Sequence, residues 1–292
     1  MEIPFISRFI EIDGLSVHYL DEGSENDKVF ILLHGVPAWS FMYRNIIPIL
    51  VDKGYRVVCP DLIGFGKSDQ LEKASDYTYN RQFSILCSLI RKLDLKNTVV
   101  YGQDWGAGFA LHLCVENQDV IKGCAISNGL LPTSHLKLPP RLLVWKAFAR
   151  FSPYIPIGQV ISWGCRNPLP RKIKRSYNKS FQKPRNKIPV RALPHWIPRS
   201  VNDPIIKDHV KVWEKLQQME TPVLCLFSDR DKFTRGADTF LIEKIPGCNY
   251  QQHRRLHGGH FIQEDAPTEL ANLLVDFAEK ITNNTIEQAG EK

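Results

Sequence analysis

The sequence predicts an α/β protein with a mostly parallel central sheet flanked by helices, and three observations carry that reading. Short apolar runs alternate with segments of helical spacing, the order that builds parallel strands joined by crossover helices. Several runs are apolar throughout, as strands covered on both faces are. A chain of 292 residues, 43% of them hydrophobic, also supplies enough core for such a sheet.

Taken in order, "RFIEIDG" and "LSVHYLDEG" read as the two strands of an opening hairpin joined at Asp13-Gly14, a common turn pair. "KVFILLHG" is a buried strand ending in His34-Gly35. "WSFMYRNIIPILVDKG" reads as one helix closed by Gly54, followed by the buried strand "YRVVCPD". Phe83, Leu86, Ile90 and Leu93 recur at helical spacing before the strand "NTVVYG". Further on, "PVLCLFSDRD" is a strand with acids at its C-terminal end, and "NYQQHRRLHGG" is the last strand. "PTELANLLVDFAEKI" opens a helix on Pro267 and lines up Leu270, Leu273, Leu274, Phe277 and Ile281, while the polar tail "TNNTIEQAGEK" is expected to fray.

Charge breaks the chain into two compositions. Thr133 to Asn202 holds 15 Lys and Arg and no Asp or Glu, leaving 23 basic against 31 acidic residues elsewhere. Such a break marks an inserted segment. A basic block attracts anions, membranes or acidic partners, but its lysines interleave with prolines and form no nucleic-acid motif, so a solvated basic face is the preferred reading. The seven cysteines are scattered and odd in number, with no C-x-x-C, which points away from a disulfide framework or a zinc site and toward reduced thiols. "MEIPFISRFIEIDG" lacks the features of a signal peptide, and no run approaches the ~18 apolar residues of a membrane helix, so a soluble, cytoplasmic protein is expected.

The chemistry centres on "VVYGQDWGAG". Gly102-Gln103-Asp104-Trp105-Gly106 lies between a predicted strand and helix and fits the small-x-nucleophile-x-small pattern of a nucleophile elbow, with Asp where serine is usual. An aspartate there also serves as a helix N-cap, so the motif alone is moderately specific. Its partners follow in the order nucleophile, acid, histidine. Asp231 ends "LCLFSDRD", with Asp229 as competitor, and His260 follows the last strand. His253, His257 and His260 resemble a metal cluster only superficially, because Gly258-Gly259 breaks the helix that paired ligands need. After His34-Gly35, the backbone N–H of Val36 is placed to join that of Trp105 in an oxyanion hole.

A carboxylate, with a reference pKa of ~3.9, is ionised at neutral pH and displaces a leaving group from saturated carbon without a base. Water activated by His260 then hydrolyses the resulting ester. The indole N–H groups of Trp105 and of Trp145, in the basic insert, are donors suited to a departing halide, although either Trp alone is equally a packing residue.

These residues resemble the haloalkane dehalogenases, Asp-nucleophile members of the α/β-hydrolase group. The likeness runs from about Ile12 to Ile281 through "HGVPAWSFMYRNIIP", "PDLIGFGKSD", "YTY", "GQDWG", "VWKAFARFSPYIPIG" and "HFIQED". It is closest to the branch with an Asp-His-Asp triad and two halide-binding tryptophans. By that likeness Asp104 is the nucleophile, His260 the base, Asp231 the acid, and Trp105 and Trp145 the halide ligands. Residues 131–212 would form a helical cap on a core made of 1–130 and 213–292. The resemblance implies a small apolar halogenated substrate, water and halide as partners, no metal or cofactor, no nucleic acid, no membrane insertion and a monomer. The chain departs from the branch at Val36, where Glu is common, and at Tyr177-Asn178-Lys179-Ser180-Phe181-Gln182, where the cap motif is Tyr-x-x-Pro-Phe-Pro.

Two other readings remain open. An epoxide hydrolase shares the Asp nucleophile and an apolar residue after His-Gly, but needs two cap tyrosines; Tyr154 and Tyr177 are available, and "ALPHWIP" offers none. A non-catalytic binding protein on the same scaffold is the third, since fold alone does not fix function.

Overall fold

The hairpin forms where the turn pair places it: β1 (Ser7–Ile12) runs antiparallel to β2 (Leu15–Glu22) across Asp13-Gly14, both at positive φ, 52° and 73°. The structure is a computed structural model that describes residues 4–23, 28–133, 144, 147–149, 152, 155–192, 196–198 and 202–290, with backbone alone at 184 and 284–290. β2 pairs antiparallel with β4 (Arg56–Pro60). From there the sheet is parallel, through β3 (Val29–Leu33), β5 (Thr98–Gln103), β6 (Ile121–Ser127), β7 (Val223–Ser228) and β8 (Arg254–Leu256). The strand order is β1-β2-β4-β3-β5-β6-β7-β8. β3, β5 and β7 are buried at every residue, as strands covered on both faces are.

Helices α1 (Ile47–Asp52), α2 (Tyr79–Lys92), α3 (Trp105–Glu116), α7 (Pro204–Leu216), α8 (Ala237–Lys244) and α10 (Pro267–Gly290) flank this sheet, and the single turn α9 (Ile262–Asp265) packs at the start of α10. α3 lies on β5 and β6 and is itself packed by α2 and α7, whereas α1 packs on α10. Thr78 caps α2 by accepting from Arg81 N at 3.1 Å. The basic insert contributes α4 (Ile157–Gly164), α5 (Arg171–Asn178) and the single turn α6 (Ile188–Ala192), and α4 packs on α5.

Three expectations are corrected. The segment from Trp39 to Gly54 is a 3-10 turn (Ser40–Tyr43) and then α1, because Pro48 cannot donate and its ring crowds the carbonyl of Arg44, so the helix starts around it. The last strand is three residues, with Tyr250 at φ 63° turning the chain before it. α10 continues to Gly290 where fraying was expected, since no Gly or Pro interrupts the polar tail before that residue. β6, which the sequence reading passes over, is masked by Lys122 and Gly123 within "IKGCAIS".

Candidate active site

Five loops, after β3, β5, β6, β7 and β8, leave the C-terminal edge of the parallel strands side by side, the place where sites form in such sheets. At the end of β5 the chain turns sharply into α3 through Asp104, whose φ of 56° and ψ of −122° lie outside the ordinary regions for a residue with a Cβ. Close packing holds that turn. A Cβ on Gly106 would stand 2.1 Å from the carbonyl oxygen of Leu33, and one on Gly35 would stand 2.4 Å from Asp104 Cβ. The Asp104 side chain makes no cap bond to α3. Its Oδ1 instead accepts from Val36 N at 3.0 Å, on the loop after β3.

The structure brings the three predicted partners together. His260 Nε2 is 3.4 Å from Asp104 Oδ2, and His260 Nδ1 is 3.2 Å from Asp231 Oδ1. The Asp104 side chain keeps 21% of its surface exposed, against 8% for His260 and 2% for Asp231, so the elbow carboxylate is the open end of the relay. Asp231 also accepts from Phe233 N at 2.9 Å, Thr234 N at 3.2 Å and the Thr234 hydroxyl. Asp229 is turned elsewhere: it accepts from Gly258 N and pairs with His257 Nδ1 at 2.9 Å and with Arg166. His253 bonds Cys225 N and Cys248 O, so the three histidines point to three separate partners.

These surroundings set the charges. Burial would raise the Asp231 carboxyl, but the imidazole of His260, the Thr234 hydroxyl and the Phe233 N–H outweigh it and hold the pKa at about 2. Burial likewise depresses His260, yet the Asp231 and Asp104 carboxylates on its two nitrogens overcome that and lift it to about 10.

An α/β hydrolase fold family model matches residues 28–267. A haloalkane dehalogenase from Mycolicibacterium paratuberculosis is 37% identical over 285 residues, covering 96% of this chain and 95% of that protein. One from Psychrobacter cryohalolentis is 38% identical, covering 91% and 88%. The chain belongs to the haloalkane dehalogenase family. Among solved structures, the tetrameric haloalkane dehalogenase DpaA from Paraglaciecola agarilytica NO2 superimposes with a TM-score of 0.86 at 28% identity, over 92% of each chain.

Of the tryptophans that the family resemblance singled out, Trp105 is partly buried at the start of α3, ringed by Tyr79 and by the edge of Trp196, whose centroid is 5.3 Å away. Trp145 and Tyr154 lie outside the described residues. Tyr177 is fully buried and its hydroxyl donates to Glu264, so it is committed to a carboxylate that also takes both guanidinium nitrogens of Arg44, at 2.6 and 2.7 Å. That removes one of the two tyrosines the epoxide reading needs.

Sequence reasoning missed the residues that seat the histidine. Asn128, at φ 44° just past β6, donates from Nδ2 to the carbonyls of Gly259 (3.0 Å) and His260 (2.9 Å). Gln103 Nε2 donates to the same His260 carbonyl at 2.9 Å. Asp265 accepts from Gly259 N and Arg166 N, both at 2.8 Å, and so joins the histidine loop to the turn after α4. The one available signal was position: each is polar and lies beside a strand end or a few residues from His260.

Proposed function

We propose that the protein hydrolyses small haloalkanes to alcohol, halide and a proton through an ester on Asp104. The observation that carries this reading is the Asp104 carboxylate, held on Oδ1 by Val36 N and facing His260 Nε2 with Oδ2. Oδ2 forms a bond to the substrate carbon as the carbon–halogen bond breaks, and the halide leaves with the bonding pair toward the indole N–H of Trp105. Trp145 is the proposed second halide donor. Oδ1 becomes the ester carbonyl oxygen, and the backbone N–H groups of Val36 and Trp105 stabilise the charge it gains when water attacks.

The two stages are linked by charge. Esterification neutralises Asp104, which removes one of the carboxylates that keep His260 protonated. Its pKa then falls, the imidazolium releases its proton to solvent, and the neutral imidazole takes a proton from water as the oxygen attacks the carbonyl carbon. Asp231 stabilises the imidazolium. Collapse of the tetrahedral species breaks the ester, and the alkoxide takes the proton of the carboxyl group left on Asp104 and departs as alcohol, which restores the Asp104 carboxylate beside the imidazolium. The oxygen comes from water and the nucleophile from the chain, so the scheme uses no metal or cofactor.

The further parts of the proposal are a cap formed by residues 131–212 over a core of 1–130 and 213–292, a monomeric active unit, and a cytoplasmic location. All the atoms named above come from one chain, which supports the second. Free cysteines at all seven positions support the third.

The test is to trap the ester. In His260→Gln, 1,2-dibromoethane should release one equivalent of bromide and leave a bromoethyl adduct on intact mass spectrometry, with the mass located on Asp104 by peptide mapping. A folded variant with no adduct would overturn the scheme.

A further inference from the structure

The acid-free stretch from Thr133 to Asn202 concentrates charge in one place. On α5, Arg171, Lys172 and Arg175, with Lys179 just past its end, fall within about 100° of arc at 3.6 residues per turn. All four are exposed, as are Lys183 and Arg185 beyond them. Among the described residues none of these six side chains has an ion-pair partner. They cannot turn inward, because the other side of α5 is pinned. Tyr177 is bonded to Glu264, and Asn178 Oδ1 accepts from Gly158 N at 2.8 Å. At Gly158 a Cβ would meet the Lys174 carbonyl oxygen at 2.1 Å, so α4 and α5 touch at the backbone.

Beside this face stands an exposed indole. Trp163 on α4 is 68% exposed. It lies one turn after Gln159, whose Oε1 accepts from Lys174 Nζ on α5 at 3.2 Å. The exposed stripe of α4 therefore adjoins the basic helix. A fixed array of unpaired cations with one exposed amphipathic ring beside it is the combination that recognises an anionic lipid surface. The cations meet headgroup phosphates and carboxylates, and the ring sits at headgroup depth. A single-stranded polynucleotide is the poorer match. Its readers line a groove with several stacking rings, whereas α5 is convex and Trp163 is the one exposed aromatic among the described residues of the insert.

We propose that the α5 face and Trp163 dock the protein on anionic membrane surfaces as a peripheral, reversible contact. The described helices include none long and apolar enough to cross a membrane, and docking needs none. The advantage to an enzyme of apolar substrates, which partition into lipid, rests on the proposed function. The docking itself does not.

The test is co-sedimentation of the full chain with phosphatidylcholine vesicles and with vesicles carrying one third phosphatidylserine, at physiological and at high salt. Binding is expected to the anionic vesicles alone, and to be lost in high salt. Each neutralised cation should weaken it about fivefold, so Arg171→Gln/Lys172→Gln/Arg175→Gln should lose about a hundredfold. Trp163→Ser should weaken it as well at physiological salt. Both variants should keep their circular dichroism and their lipid-free bromide release from 1-bromobutane. Equal binding to the two vesicle types, or wild-type binding by the triple variant, would overturn the proposal. So would tighter binding to single-stranded polyuridine than to phosphatidylserine at the same salt, which would reassign the face to nucleic acid. A protein that docks as expected but releases no halide would sink the dehalogenase reading and leave the docking intact.

Discussion

The backbone N–H of His260 donates to the carbonyl oxygen of Gly164 across 2.6 Å, so the residue placed as base is bonded directly to the end of α4. Asp265 doubles that connection by accepting from Gly259 N on one side and Arg166 N on the other. The position of the imidazole thus depends on the insert as well as on the sheet.

Asp265→Ala leaves those N–H groups without their acceptor, at a cost of about 1–3 kcal/mol each where water cannot replace it. The melting temperature should fall, and the ester-hydrolysis step should slow by at least about tenfold, the equivalent of 1.4 kcal/mol, while alkylation of Asp104 is little changed. Rapid-quench kinetics with 1,2-dibromoethane separates the two steps. Equal slowing of both would assign Asp265 a purely structural part.

Asp231 and Asp229 are distinguished by what they touch, and their substitution should separate them as sharply. Asp231→Asn should lower kcat by about 10⁴-fold, as loss of the acid does in related triads, with ester accumulating. Asp229 is 38% exposed, and Asp229→Asn should stay within about fivefold, since exposed ion pairs are worth about 1 kcal/mol or less. Steady-state halide release decides this; a strong defect in Asp229→Asn would move the acid role.

Burial pulls the His260 pKa down and the two carboxylates push it to about 10, so Asp104→Asn should lower it, by removing the charge beside Nε2. NMR titration of the imidazole gives the shift directly. The sign for stability follows. A raised histidine stabilises fully below its unfolded value of about 6.5 and loses that contribution as pH rises through 10. Asp231, held near 2, contributes above its unfolded value of about 3.9 and loses its contribution as pH falls toward 2. His34, His112, His209 and His253, lowered by burial, act in the opposite sense over the same interval, so the His260 contribution is read as a difference: between pH 6 and pH 9 the wild type should lose urea midpoint relative to Asp104→Asn. An identical pH dependence in the two proteins would contradict the pairing.

Arg44 and Glu264 are 7% and 3% exposed, and Glu264→Gln should destabilise by about 3–5 kcal/mol because it strands a buried guanidinium. Tyr177→Phe removes one bond to the same carboxylate and should cost about 1.5–3 kcal/mol. Arg44→Leu/Glu264→Leu should be less damaging than either single change, since no lone charge remains. Urea unfolding of the set is the measurement.

The sequence made the sheet legible where periodicity was clean. Asp13-Gly14 and the apolar runs of β3, β4, β5 and β7 needed no tertiary information. Pro48 was legible too, but its effect on the helix around it was passed over. The order Asp104, Asp231, His260 and their positions after strands identified the imidazole and the two carboxylates that the fold brings within 3.4 Å of it. The residues seating the histidine were not legible, for a physical reason. Asn128 and Gln103 reach the His260 carbonyl across 132 and 157 residues of chain, and Asp265 reaches Arg166 across 99. Such bonds follow from how loops meet in space and leave no spacing pattern. The Glu264 pairing with Arg44 and Tyr177 is hidden for the same reason.

His257 to Asp265, nine consecutive residues, carry the imidazole together with the bonds to Gly164, Arg166 and Tyr177. Prising that corner of the insert upward would drag the imidazole off both carboxylates. A variant selected for faster product escape should therefore carry its changes away from this seam.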